Sequence, residues 1–286
     1  MTDYTLKEMK HTFRRYQKQA ARPFKYGFLF VVIIGVFMQL SSIYNWIDID
    51  LLMGLIFSSG LILIGLIGLT VNHFYVRQKI SVDTLFKEIS ESLHDLDERK
   101  IDYQAYPKHL KKVYREGGLF TRNAFAKIRY AFIGKTRDGT PFHLMNVSLI
   151  VSTGSASSEI FKGMYLIIEQ ENQELLQIKT RYRPSMKGIR FDRIREDEEG
   201  FKLYYESNRT VDEMALKHWH FKVSKLHKDL NAKHSYFGLS ENSIHYAFSQ
   251  SDIPYKLKTA DEAEIRSIVE QFKTYLEIPE RLLETI

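Results

Sequence analysis

Apolar positions are not spread evenly along this chain; they crowd near its N-terminus. Tyr26 to Ile47 is a run of 22 residues without a charge, and Leu51 to Val76 is a run of 26 whose one group titrating near neutral pH is His73. A bilayer core of about 30 Å needs about 20 helical residues, and a helix satisfies its own backbone hydrogen bonds there. The pattern predicts two spans, 26–47 and 51–76, joined as a hairpin. On either side the periodicity turns amphipathic. Leu6, Met9, Phe13, Tyr16 and Ala20 recur at steps of three and four before the first span, and Val82, Leu85, Phe86, Ile89, Leu93 and Leu96 do so after the second. Both read as helices leaving the membrane. Their seams could pair as a short stalk, or the first could lie flat on the leaflet.

Beyond residue 100 the period shortens to two. Tyr103 to Gly118, with Pro107 and Gly117-Gly118, reads as a linker. Asn123 to Ile133 and Pro141 to Val151 are rich in aromatic and β-branched residues and flank Asp138-Gly139, a hairpin signal. Further strands are expected at Ile160–Gln170, Leu175–Lys179 and Gly200–Glu206. Val211 to Leu230 is helical in pattern. Ser235–Phe237 and Ser243–Phe248 suggest a last hairpin turning at Gly238 to Asn242. Asp261 to Leu276 is an amphipathic helix with Thr259 as its cap. Strands followed by helices without regular alternation predict an α+β domain with a mixed or antiparallel sheet, as a curved sheet or a small pleckstrin-homology-like barrel closed by C-terminal helices.

Charge orients the hairpin. Lys7, Lys10, Arg14, Arg15, Lys18, Arg22 and Lys25 precede the first span, and Arg77 and Lys79 follow the second. The connecting segment Ser41 to Asp50 carries Asp48 and Asp50 but no Lys or Arg, with Tyr44 and Trp46 as interfacial aromatics. The positive-inside rule then puts both termini in the cytoplasm and the short loop outside. A cleaved signal peptide is the competing reading, but no small-x-small site follows Leu40. In the second span Gly54, Ser58, Gly65 and Gly68 form a stripe of small residues, suited to packing on the first span or to self-association.

The expected organisation is a basic helix at 1–25, the hairpin at 26–76, a membrane-proximal helix at 77–100 and the cytosolic domain at 101–286. Composition adds exclusions. With no cysteine there is no disulfide, thiolate metal site or cysteine nucleophile, and the net charge of +6 is modest for 286 residues.

Candidate chemistry is sparse. His220, His227 and His234 recur every seven residues and His218 flanks Trp219, but positions seven apart stand about 10.5 Å apart along a helix, too far to share one ion. Thr153 to Ser158 is neither a nucleophile elbow nor a P-loop and reads as a hairpin loop. No catalytic, cofactor or metal residue is assigned. The strongest cluster is basic: Lys179, Arg181, Arg183, Lys187, Arg190, Arg193 and Arg195, with one acid, Asp192, among them. It could meet anionic lipid headgroups, or be a solvated loop ahead of the acidic run Glu196 to Glu199. Nucleic acid is not expected, since no recognition module accompanies the charge. The leading expectation is a non-enzymatic binding or scaffolding module facing a protein partner or the inner leaflet. The alternative is a tethered hydrolase whose site is assembled from His143, Ser148 and acidic residues that sequence alone cannot bring together.

The two spans, the strand Phe125 to Gly134, the segment Glu159-Ile160-Phe161-Lys162-Gly163-Met164-Tyr165 and the order of the closing elements together resemble bacterial membrane proteins of the family called domain of unknown function 3137. The chain departs from that pattern at Met214-Ala215-Leu216-Lys217-His218-Trp219. The resemblance implies two spans and a cytosolic α+β domain, and no functional residues.

Overall fold

The computed structural model describes residues 3–44, 51–71, 86–87, 90–91, 101–111, 115–121, 123–153, 156–172, 174–182, 184, 186, 189–207, 210, 212–250 and 262–284. The chain forms two compact units, residues 1–88 with 254–269 and residues 89–253 with 270–286.

In the first unit, α1 (Asp3–Ile43) runs without a break from the basic N-terminal segment into the apolar run, through Pro23, and α2 (Leu51–Val71) returns beside it. Both contain a stretch long and apolar enough to cross a membrane. Small residues make their seam. Gly54, Ser58, Gly65 and Gly68 are buried, with Gly35, Ser41 and Ser42 opposite. A Cβ on Gly68 would stand 2.1 Å from the Phe28 ring, and one on Gly65 2.4 Å from the Val32 side chain. The small-residue stripe is therefore occupied within the chain by α1. Ser42 and Ser58 donate to the carbonyls of Met38 and Leu55, so these hydroxyls are satisfied inside their own helices. The bulky side chains point outward: Phe30 is 64% and Phe57 66% exposed. The pairing of the two juxtamembrane seams and the Thr259 cap fall outside the described residues.

The second unit is built on nine strands: β1 (Ile101–Ala105), β2 (Ala124–Lys135), β3 (Pro141–Thr153), β4 (Ala156–Glu169), β5 (Leu176–Lys179), β6 (Phe191–Glu196), β7 (Lys202–Glu206), β8 (His234–Ser240) and β9 (Ser243–Ser249). They form one sheet in the order β1-β2-β3-β4-β9-β8-β5-β7-β6, antiparallel throughout. Among the described residues the sheet has two open edges, β1 and β6, so of the two expected forms the pleckstrin-homology-like barrel is not closed. The hairpin β8–β9 is inserted between β4 and β5, which is why chain order does not give strand order.

The Asp138-Gly139 turn is as the sequence predicts. Gly139 adopts φ +83°, and Thr136 receives the Gly139 and Thr140 amides on its carbonyl and hydroxyl oxygens. An irregularity between Ile128 and Tyr130 shifts the phase of β2. It keeps Ala124, Ala126 and Ile128 on the same face as Ala131, because a slip of one residue reverses the faces. The supposed linker begins with β1, whose Tyr103 ring meets Tyr130 and Phe132 at 6.3 and 5.7 Å. A five-residue edge strand is too short for its alternation to be read.

The two faces of the sheet are covered differently. One carries α3 (Glu213–Asp229), where Trp219 stacks on Phe237 at 4.9 Å, and the C-terminal part of α4 (Glu262–Leu283), where Phe272 meets Phe132 at 5.3 Å and Tyr275 meets Phe248. The other is covered by the irregular segment between β1 and β2, whose Leu110, Leu119 and Phe120 join Met145, Val147, Leu149, Tyr165 and Tyr236 in a buried cluster.

Candidate functional site

The basic stretch of the sequence does not form one surface. β5 is buried along its whole length and alternates. Leu176 and Ile178 face the helices, while Gln177 and Lys179 turn to the irregular segment. Lys179 is fully buried; its Nζ donates to the carbonyl oxygen of Leu119 at 2.9 Å and lies 3.4 Å from that of Gly118. Gln177 Nε2 donates to the Gly117 carbonyl at 3.0 Å. Three successive carbonyls are thus received by two side chains of one strand. Lys179 is accordingly not part of an exposed cationic surface, and burial holds its amine well below the usual lysine range.

His245 of β9 completes this floor. Its ring nitrogens are 3.2 Å from the Tyr165 hydroxyl and 2.7 Å from Ser243 Oγ, and burial lowers its pKa to about 3. One neutral imidazole supplies one donor and one acceptor, which suits two hydroxyl neighbours. Glycines allow the approach. A Cβ on Gly117 would lie 2.4 Å from the His245 ring, Gly118 has φ +57°, and Gly238, opposite Gln177, leaves room for Leu119. This arrangement fixes a segment of chain; its donors are turned to backbone oxygens. In the sequence the signal was the polar pair Gln177 and Lys179 alternating with Leu176 and Ile178, beside a Gly-Gly pair read only as a turn.

The remaining basic residues are scattered. Arg181 is exposed and lies 5.2 Å from the Tyr182 ring centroid. Arg190 is 3.9 Å from Asp192, and Arg193 pairs with Glu196. Arg195 is exposed on the edge strand β6 and makes no ion pair among the described residues. Arg183 and Lys187 lie outside those residues. Strand β6 was unforeseen, because its charges masked its alternation; charge on an open edge also discourages pairing with another chain.

The acidic run has a structural use. Asp197 accepts the Phe201 amide at 2.7 Å and sits 2.5 Å from His220 Nε2. Glu199 accepts from Ser224 at 2.6 Å and pairs with Lys228 at 2.5 Å, hydrogen bonds that lower its pKa. The β6–β7 turn thereby grips α3. The other histidines are similarly engaged: His227 Nδ1 is 3.0 Å from Ser235 Oγ, and His218 stands against Trp219. Among the described residues no group of three or more His, Cys, Asp or Glu side chains could hold a metal ion.

His143 and Ser148 are not brought together. They lie five residues apart on β3, hence on opposite faces and about 17 Å apart along the strand. His143 instead meets Glu169 at 3.3 Å. The expected loop from Thr153 to Ser158 is mostly strand: Thr153 ends β3 and Ala156 to Ser158 begin β4, pairing with Thr153, Ser152 and Val151.

Helix α3 supplies a surface that the sequence did not single out. Asp212 caps it, its carboxylate accepting from the Met214 and Ala215 amides at 2.8 and 3.1 Å. Leu216, Val223 and Leu226 are buried toward the sheet, and Lys222 Nζ donates 2.7 Å to the Leu282 carbonyl at the end of α4. Facing away are Met214, 80% exposed, and Phe221, 57% exposed, with Lys217 and Lys225.

No protein-family model, curated protein or solved structure matches the chain. The resemblance to the family of unknown function therefore rests on the sequence pattern alone.

Proposed function

We propose that the protein is a non-enzymatic, membrane-anchored binding module of a bacterial inner membrane, with the two-span layout that its resemblance to that family implies. α1 and α2 would be the anchor, both termini would be cytoplasmic, and the sheet unit would meet a protein partner or the anionic leaflet. One observation carries the reading: large apolar side chains are exposed along both hairpin helices while glycine and serine are hidden between them. Water would favour the opposite sorting. Basic residues flanking both apolar runs, and their absence between the runs, support the orientation.

The chain has no cysteine, so single cysteines report topology cleanly. In intact cells a membrane-impermeant maleimide should label Asn45→Cys, and should reach Thr2→Cys and Asp229→Cys only after permeabilisation. Labelling of Asp229→Cys from outside would overturn the proposed orientation. Extraction of the chain from membranes by alkaline carbonate would overturn the anchor itself.

A further inference from the structure

We propose that the outer face of α3 is a contact surface for an anionic lipid bilayer, in which Met214 and Phe221 enter the headgroup region and Lys217 and Lys225 meet lipid phosphates. The inference rests on the reading of α1 and α2 as an anchor, and it assigns the lipid contact to residues other than the basic stretch from 179 to 195.

The pattern is geometric. At about 100° per residue, Met214, Lys217, Phe221, Lys225 and Lys228 fall within about 80° of the helix circumference. Glu213 and Asp229 lie to either side of that arc, and no acid lies within it. The opposite face is already committed, with Leu216, Val223 and Leu226 buried and Trp219 on Phe237. Lys228 is held by Glu199, whereas Lys217 and Lys225 make no ion pair among the described residues.

Two large apolar side chains on the solvent side of a well-anchored helix are not explained by its packing. Seven residues apart, they stand about 10.5 Å along the axis on one side, so both would reach equal depth in a plane parallel to the helix. Lys217 between them and Lys225 one turn beyond can lay their stems along the apolar surface while their ammonium groups stay at phosphate level, where each contributes about 1 kcal/mol against an anionic leaflet. Two lysines and two apolar side chains give a weak contact. That is enough for a unit tethered to the same membrane, where the local concentration of lipid is high.

The test uses the full chain in vesicles of phosphatidylcholine alone or mixed with phosphatidylglycerol. A nitroxide is attached at Phe221→Cys, and its collisions with oxygen and with a water-soluble nickel chelate are compared; a second sample carries the label at Phe57→Cys in α2. We expect the Phe221→Cys label to become oxygen-accessible and nickel-shielded in the anionic vesicles only, and to return to water when Lys217→Glu and Lys225→Glu are added. A label that stays in water on both vesicles, or whose immersion ignores lipid charge and charge reversal, overturns the α3 surface. If that happens while the Phe57→Cys label is lipid-embedded, the anchor reading survives, and a protein partner becomes the occupant to seek. If the Phe57→Cys label is also in water, the anchor reading falls and the α3 contact falls with it.

Discussion

The hairpin and the sheet unit sort the same amino acids in opposite directions. Between α1 and α2, Gly35, Ser41, Ser42, Gly54, Ser58, Gly65 and Gly68 are hidden, while Phe24, Phe30, Phe37 and Phe57 stand outside. In the sheet unit Phe132, Phe142, Phe237 and Phe248 are fully buried while charge lies outside. Both are well-packed pairings of secondary structure, so packing does not explain the difference; the lipid surroundings proposed for the hairpin would. In water apolar area is driven inward at about 25 cal/mol per Å². In lipid that drive vanishes, and close approach of small residues holds helices together instead.

The contrast can be broken at four places. The largest expected effect is in acid. With His245 held neutral down to about pH 3 when folded and titrating near 6.5 when unfolded, its stability contribution is complete above about pH 6.5 and is lost as pH falls toward 3, on the order of 5 kcal/mol. Unfolding followed against pH should show His245→Gln less stable at neutral pH but flatter across that window. An unchanged acid slope would mean that other groups set it. Next, Phe272→Ala should cost the sheet unit about 3–5 kcal/mol by emptying the contact with Tyr130 and Phe132, seen as an earlier chemical-denaturation midpoint.

Phe57→Asp tests the sorting itself. On a water-facing helix an exposed Phe can become Asp within about 0.5 kcal/mol. On a lipid-facing one it should oppose membrane insertion by about 2.5–3.5 kcal/mol, measurable as the inserted fraction of α2 in a translocon assay. Full insertion of the variant would contradict a lipid-facing α2. Smallest is Asp212→Ala, which removes the cap of α3 and should cost about 1 kcal/mol, detected as faster amide exchange in its first turn.

Much of the fold was legible from period alone: the apolar runs as helices, β2 and β3 around Asp138-Gly139, β4, β5, β7, α3 and the hairpin β8–β9. Misreadings came where one residue type had two uses. Gly238 looked like a turn but lies inside β8, because Leu119 presses against it. The closing helix was expected to end at Leu276, yet α4 continues through Pro279 to Leu283. The basic run was read as one patch because sequence counts charges without showing faces. Lys179 turned inward to backbone carbonyls, and Arg190 and Arg193 found acids nearby.

By itself, the sequence determined the apolar hairpin, the asymmetry of charge around it and the strand hairpins β2–β3 and β8–β9, since these depend on local period and composition. Tertiary structure decided that β8–β9 enters between β4 and β5, that the Gly117-Gly118 segment is seated on Gln177, Lys179 and His245, and that α3 leaves Met214 and Phe221 outside. Each of these depends on which distant segment covers a face, and that is settled by the competition among all faces for burial rather than by any one stretch of chain.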